Sequence, residues 1–172
     1  MKQRKVAISV LLVAIAASLF VVPGIVAAQF ASGSSATIEV RGIWSLPNFN
    51  ATTLRNVANV SNIASYGSGP ITGGIKGQTA AALLLKSENK AQVILFTGQI
   101  YCSCTVGGKT GDLWITIVNG IDHNSTDPNG ATSGQLTIVG SQYGLAGTTG
   151  HGSFVTTTSS ADMNYTMWIT VR

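Results

Sequence analysis

The sequence predicts an all-β chain: a small antiparallel β-barrel of about eight strands, preceded by an N-terminal signal-peptide helix. Three observations carry this expectation. Beyond the first 28 residues no stretch has a 3.6-residue apolar period. Its apolar runs are rich in Val, Ile and Thr and are punctuated by glycine; β-branched residues suit a pleated, half-buried surface, and glycines mark bulges, bends and close backbone approach. From Gly107 to Phe154 two such runs, GGKTGDLWITIVNG and SGQLTIVGSQYGLAGTTGHGSF, flank the polar loop IDHNSTDPNG.

The chain divides into 1–28, a signal peptide; 29–35, a flexible leader; and 36–172, the barrel domain. Lys2, Arg4 and Lys5 precede an apolar run from Val6 to Val22, Pro23-Gly24 break the helix, and Val26-Ala27-Ala28 offers small residues for cleavage, which is the build of a secretory signal. Val6 to Ala28 also approaches the roughly 20 apolar residues that cross a bilayer, so an uncleaved anchor is the rival reading. Either way the basic flank stays inside and the remainder lies outside the cytoplasm, secreted or in the cell envelope. The formal charge of +4 falls to +1 once Lys2, Arg4 and Lys5 are set aside. Without a basic cluster the phosphate-neutralising surface of a nucleic-acid binder is missing.

Taken in order, Thr37 to Trp44 alternates, with Ile38, Val40 and Trp44 on one face and Thr37, Glu39 and Arg41 on the other, and reads as a first strand. Ser45 to Ser68 has little pattern. PITGGIKGQ reads as a short strand bent at Gly73-Gly74, and TAAALLLKS as a nearly all-apolar strand buried on both faces. Ala91 to Val106 is a long strand, and Gly107-Gly108 is a hairpin turn whose central residues need positive φ. Lys109 to Gly120, Gly134 to Ser141, Ser153 to Ser159 and Asn164 to Val171 complete the set. Closure of about eight strands removes exposed edges and leaves an interior for side chains or one small ligand.

Few residues point to chemistry. Cys102 and Cys104 flank Ser103 on one face of the long strand, about 6.6 Å apart if the strand is regular; buried thiols, a disulfide that needs a bulge and a metal contact are the three readings. His123 and His151 do not supply the spacing of a closed zinc site. The loop from Asp122 to Gly130 has Asp127 where a calcium loop requires glycine, and reads as an Asx and Pro-Asn-Gly turn. Glu39, Glu88, Asp112, Asp122, Asp127 and Asp162 are scattered, and Glu39 with Arg41 reads as a solvated pair. No catalytic constellation, metal or cofactor is expected. Trp44, Phe96, Tyr101, Trp114, Phe154 and Trp168 read as core; Phe96, Ile100 and Trp114, with His151 as a turn residue or a polar lining group, are the candidate ligand contacts. Asn50, Asn59, Asn124 and Asn164 open sequons and are the glycosylation candidates.

The Gly107–Phe154 stretch resembles the prokaryotic domain-of-unknown-function 3224 family. The residues that carry the likeness are Gly108-Lys109-Thr110-Gly111, Ser133-Gly134-Gln135-Leu136 and the run from Tyr143-Gly144-Leu145-Ala146-Gly147 through Gly150-His151-Gly152 to Phe154, with ITGGIKGQTAAALLL as a weaker upstream match. It spans about residues 34–171 and is most specific in the last third. Thr148 departs from the family's second leucine, and the signal segment and Cys-Ser-Cys lie outside its pattern. The resemblance implies a barrel similar to the allene oxide cyclase and dirigent proteins, which hold small apolar molecules inside; no catalytic motif comes with it.

The expected function is therefore an exported, non-catalytic module that binds a small apolar ligand. A barrel-interior isomerase or cyclase, for which Glu39, Asp112 or His151 would face a cavity, and a cell-envelope structural or adhesion protein are the rivals. The expected partners are a small apolar molecule and a second copy of the chain, with membrane contact only through the N-terminal segment.

Overall fold

The computed structural model describes residues 35–88, 93–123, 131–156 and 162–172. The expected signal segment, nearly all of the 29–35 leader and the tip of the Asp122–Gly130 loop lie outside these residues. Nine antiparallel strands form one sheet: β1 Ala36–Ser45, β2 Asn48–Val57, β3 Val60–Gly73, β4 Ile75–Glu88, β5 Val93–Val106, β6 Lys109–His123, β7 Thr132–Tyr143, β8 Thr149–Thr156 and β9 Asp162–Val171. From β3 to β9 each strand pairs with the next, β9 pairs with β1, and β1 returns to β3, so eight strands make a hydrogen-bonded ring and β2 lies outside it on β3.

The patternless stretch from Ser45 to Ser68 accounts for the ninth strand. β1 and β2 lie end to end along β3: Trp44 pairs with Ile71 and Asn48 with Ser68, so three residues on one side oppose two on the other. That extra residue, at Leu46-Pro47, kinks the strand out of the ring as a β-bulge does. Leu46 is buried, whereas all ten residues of β2 are exposed. Without a buried face β2 has no reason to alternate, which is why no period marks it.

Two further expectations are corrected. Gly73-Gly74 is the turn between β3 and β4 rather than a bend within one strand: Gly73 has φ 96°, and a side chain at Gly74 would collide with Val40. TAAALLLKS belongs to β4, which is buried on one face only; Thr79 and Ala81 point inward while Leu84 is 55% exposed. The Gly107-Gly108 turn has φ 58° and 81°, the positive pair that the hairpin requires.

The ring interior is apolar. Ile75, Val106, Leu113, Ile115, Ile117, Met167 and Ile169 are fully buried there, with Trp44, Ile100 and Phe154 beside them. Gly120 and Gly134 make room for the two phenyl rings: a Cβ at Gly120 would meet Phe96 at 2.5 Å, and one at Gly134 would meet Phe154 at 2.7 Å. Phe154 in turn packs edge-on to Trp44 at 6.1 Å, a geometry aromatic pairs favour. The Trp44 indole donates to Thr79 Oγ1 at 2.9 Å and Thr79 donates to the Gly69 carbonyl at 2.8 Å, so the polar atoms of this buried corner are paired. After β7 a run of turns places Leu145, fully buried, under the ring beside Gly111.

Candidate functional site

Placement of the sequence-derived candidates separates them. Phe96 and Ile100 are even-numbered residues of β5 and face the interior with Cys102, Cys104 and Val106. In β6 the inward residues are odd-numbered, Leu113, Ile115 and Ile117, so Trp114 faces outward. His151 is exposed and stacks on Trp168 at 5.8 Å, on the outer face of β8 and β9. Tyr101, Trp114 and Trp168, expected in the core, are therefore outer-face residues; the apolar runs hid the parity that the ring imposes. Phe96 and Ile100 share a surface with neither Trp114 nor His151.

Glu39 and Arg41 form an exposed ion pair at 2.6 Å, Asp112 is on the outer face of β6 between Ser103 and Gln142, and Asp122 accepts a hydrogen bond from Thr132 Oγ1 at 2.7 Å. Among the described residues no three His, Cys, Asp or Glu side chains converge. Cys102 and Cys104 are buried and joined as a disulfide with Cα atoms 5.5 Å apart. The expected bulge is absent: Cys102 pairs with Thr79 and Leu113, and Cys104 with Gly77 and Gly111, with no register shift at these positions. The strand instead shortens between the two residues, to a Cα separation inside the disulfide range. Of the sequon residues, Asn50 is exposed on β2, Asn59 is exposed in the turn after it, and Asn164 is exposed as the third residue of β9; Asn124 lies outside the described residues.

A concave feature on the described surface takes in one of the sequence-derived candidates, Phe96. A depression of about 590 Å³ is lined by the outward-facing Leu84, Leu95 and Ile121 and reaches between them to the inward-facing Leu85 and Phe96, with Asn62, Lys86 and Asn119 among its polar groups. A shallower one of about 310 Å³ adjoins it across Leu84 and Thr97, walled by Tyr66 and floored by Ala64, Ala82 and Gly98. Small outward residues at 64 and 82 leave the floor low, while Tyr66, Leu84 and Leu95 stand out from it. Two irregularities bend the strands here: the β5–β6 register shifts between Phe96 and Gly98, and the β6–β7 register shifts between Val118 and Ile121, with Asn119 at φ 52°. Bulges of this kind re-aim side chains and increase local twist. Lys86, the cation of the larger depression, is paired with Glu88 at 2.8 Å.

A sequence signal for this site existed in AQVILFTGQ and IVNGID, where Gly98 and Asn119-Gly120 interrupt otherwise continuous apolar strands, since an isolated strand glycine suggests a bulge.

No protein-family model matches the chain, and no curated protein matches it significantly. Among solved structures, a protein of unknown function from the DUF3224 family of Shewanella oneidensis MR-1 is similar, with a TM-score of 0.53 at 11% identity, over 80% of this chain and 98% of that one. At that identity the likeness is one of fold, and the fold it shares is that of a DUF3224 protein.

Proposed function

We propose that this chain is an exported, non-catalytic binding module, an eight-stranded barrel of the domain-of-unknown-function 3224 kind, that takes a small and largely apolar molecule on its outer wall. The observation that carries the reading is the depression of about 590 Å³ across β3, β4, β5 and β6, a volume within the range of small-molecule sites, which are mostly apolar with a few polar groups. Leu84, Leu95 and Ile121 would cover the apolar body, and Asn62, Lys86 and Asn119 would meet a polar end. The rival, a reaction inside the barrel, loses support because Glu39, Asp112 and His151 all sit on the outer face.

Native mass spectrometry of the protein purified from its exporting host, beside the same sample denatured, tests this. A retained small molecule appears as excess mass that denaturation removes, and Leu95→Arg, which puts a charge in an exposed wall of the depression, abolishes it. A native mass equal to the bare chain or a whole multiple of it, or an excess that survives in Leu95→Arg, overturns the reading. The denatured mass in the same run reports whether residues 1–28 are removed.

A further inference from the structure

A second cluster on the outer face, remote in register from the depression, remains without a role. Tyr101 of β5 pairs with Trp114 of β6, which pairs with Gly140 of β7; one step towards the Gly107 turn, Ser103 pairs with Asp112 and Asp112 with Gln142. The Tyr101 and Trp114 rings meet at 5.5 Å with 58° between their planes, which makes a corner rather than a flat platform. On its far side the indole lies against Gly140, 3.5 Å from where a Cβ would stand. Tyr143 completes the group by an unusual route. Its pairing with buried Gly111 would send it inward, but a left-handed backbone, φ 57°, turns it out to 74% exposure. For a bulky residue that conformation is an outlier, and such strain gathers at ligand sites. Asp112 stands diagonally across the ladder from Tyr101, and its carboxylate raises the pKa of the Tyr101 hydroxyl.

We infer that Tyr101, Trp114 and Tyr143, gathered around Asp112, form a binding site for a small quaternary-ammonium or methylated-amine cation. Aromatic faces carry negative quadrupole charge and attract a soft cation, most strongly when it sits over an indole. Angled rings wrap such a rounded headgroup, whereas a flat sugar or planar ligand calls for parallel faces. The carboxylate favours a cation and opposes an anion. The site is independent of the depression described above, and neither stands or falls with the other.

Isothermal titration and aromatic NMR of the full chain with choline, compared with its uncharged isostere 3,3-dimethylbutan-1-ol, provide the test. Choline is expected to bind with a dissociation constant on the order of a millimolar and the alcohol at least about tenfold more weakly. Choline should shift the ring signals of Tyr101, Trp114 and Tyr143 saturably. Asp112→Asn and Trp114→Ala should each weaken it about tenfold, while Trp168→Ala, at the other exposed ring stack, leaves it unchanged. Equal binding of choline and the alcohol, no saturable shift at the three rings, or a loss in Trp168→Ala matching that in Trp114→Ala overturns the inference. The first comparison uses the unaltered chain and does not depend on how the variants fold.

Discussion

At the scale of single residues, two hydroxyls show how the same group can hold or weaken this fold. Tyr165 Oη accepts the Ile75 N–H at 2.9 Å and donates to the Thr72 carbonyl at 2.9 Å, tying the β3–β4 turn to β9 across the point where the ring closes. Tyr165→Phe leaves the Ile75 N–H without that partner and is expected to cost about 1–3 kcal/mol, read as a lower denaturant midpoint at unchanged slope. Burial also pushes the Tyr165 pKa above its ordinary 10.0. The protonated phenol is thus favoured in the folded state, so its contribution is complete below pH 10.0 and is lost as pH rises through the raised folded value. A stability profile across that alkaline window should fall less steeply in Tyr165→Phe than in the parent; parallel profiles would place the alkaline loss elsewhere. Thr148 is the opposite case. It replaces the leucine of the resembled motif, is buried, and its Oγ1 has no hydrogen-bond partner among the described residues. Because an unsatisfied buried hydroxyl costs about 1–3 kcal/mol, Thr148→Val should raise the unfolding free energy by about 1 kcal/mol, read as a higher midpoint at unchanged slope, and a loss of stability would mean that the hydroxyl is satisfied in solution.

At the scale of elements, the ring has one weak seam. Long ladders join most neighbours, but β1 meets β3 through only three residue pairs, Gly42 with Gly73, Ile43 with Thr72 and Trp44 with Ile71. A Cβ at Gly42 would lie 1.8 Å from the Thr72 carbonyl oxygen, so Gly42→Ala must push the strands apart, at an expected cost of about 3 kcal/mol. In the parent chain, hydrogen exchange should find protection along Ile71–Gly73 at least about tenfold below that at Ile115; equal protection would mean the seam opens only with the whole molecule. The seam also shows what could be read beforehand. The β5–β6 hairpin was legible because Gly107-Gly108 and two long β-branched runs are local signals, and β9 because Asn164 to Val171 alternates. β2 was not, since exposure on both faces erases its period, and the β3–β4 turn reads in sequence as a bend because ITGGIKG continues the strand pattern through it. Outward placement of Trp114 and Trp168 was also hidden: parity in an apolar run is fixed by which neighbours close the ring, and that is tertiary information. The depression was illegible for the same reason, being assembled from bulges and small residues on four strands.

At the scale of the whole molecule, connectivity separates the local from the distant. From β2 to β9 every hydrogen-bonded neighbour is the next strand in sequence, whereas closure pairs Ala36 with Val171 and continues to Ser45 with Asp162. Loop-closure entropy makes contacts of such separation late and slow, so this β-rich topology is expected to fold in milliseconds to seconds. Hairpins nearer the centre of the chain can form before the ends meet. Truncations inside them should act on folding, and truncations in the closing ladder on unfolding. Ile115→Val, in the buried face of β6, is therefore expected to slow folding, with a φ-value above about 0.5, while Val40→Ala, in β1 against Gly74 and β9, should mainly speed unfolding, with a φ-value below about 0.3. Chevron kinetics of the two variants decide the order. Should Val40→Ala carry the higher value, the terminal strands meet early and the ring is built around their pairing, and the seam between β1 and β3 becomes the last joint to form rather than the first to open.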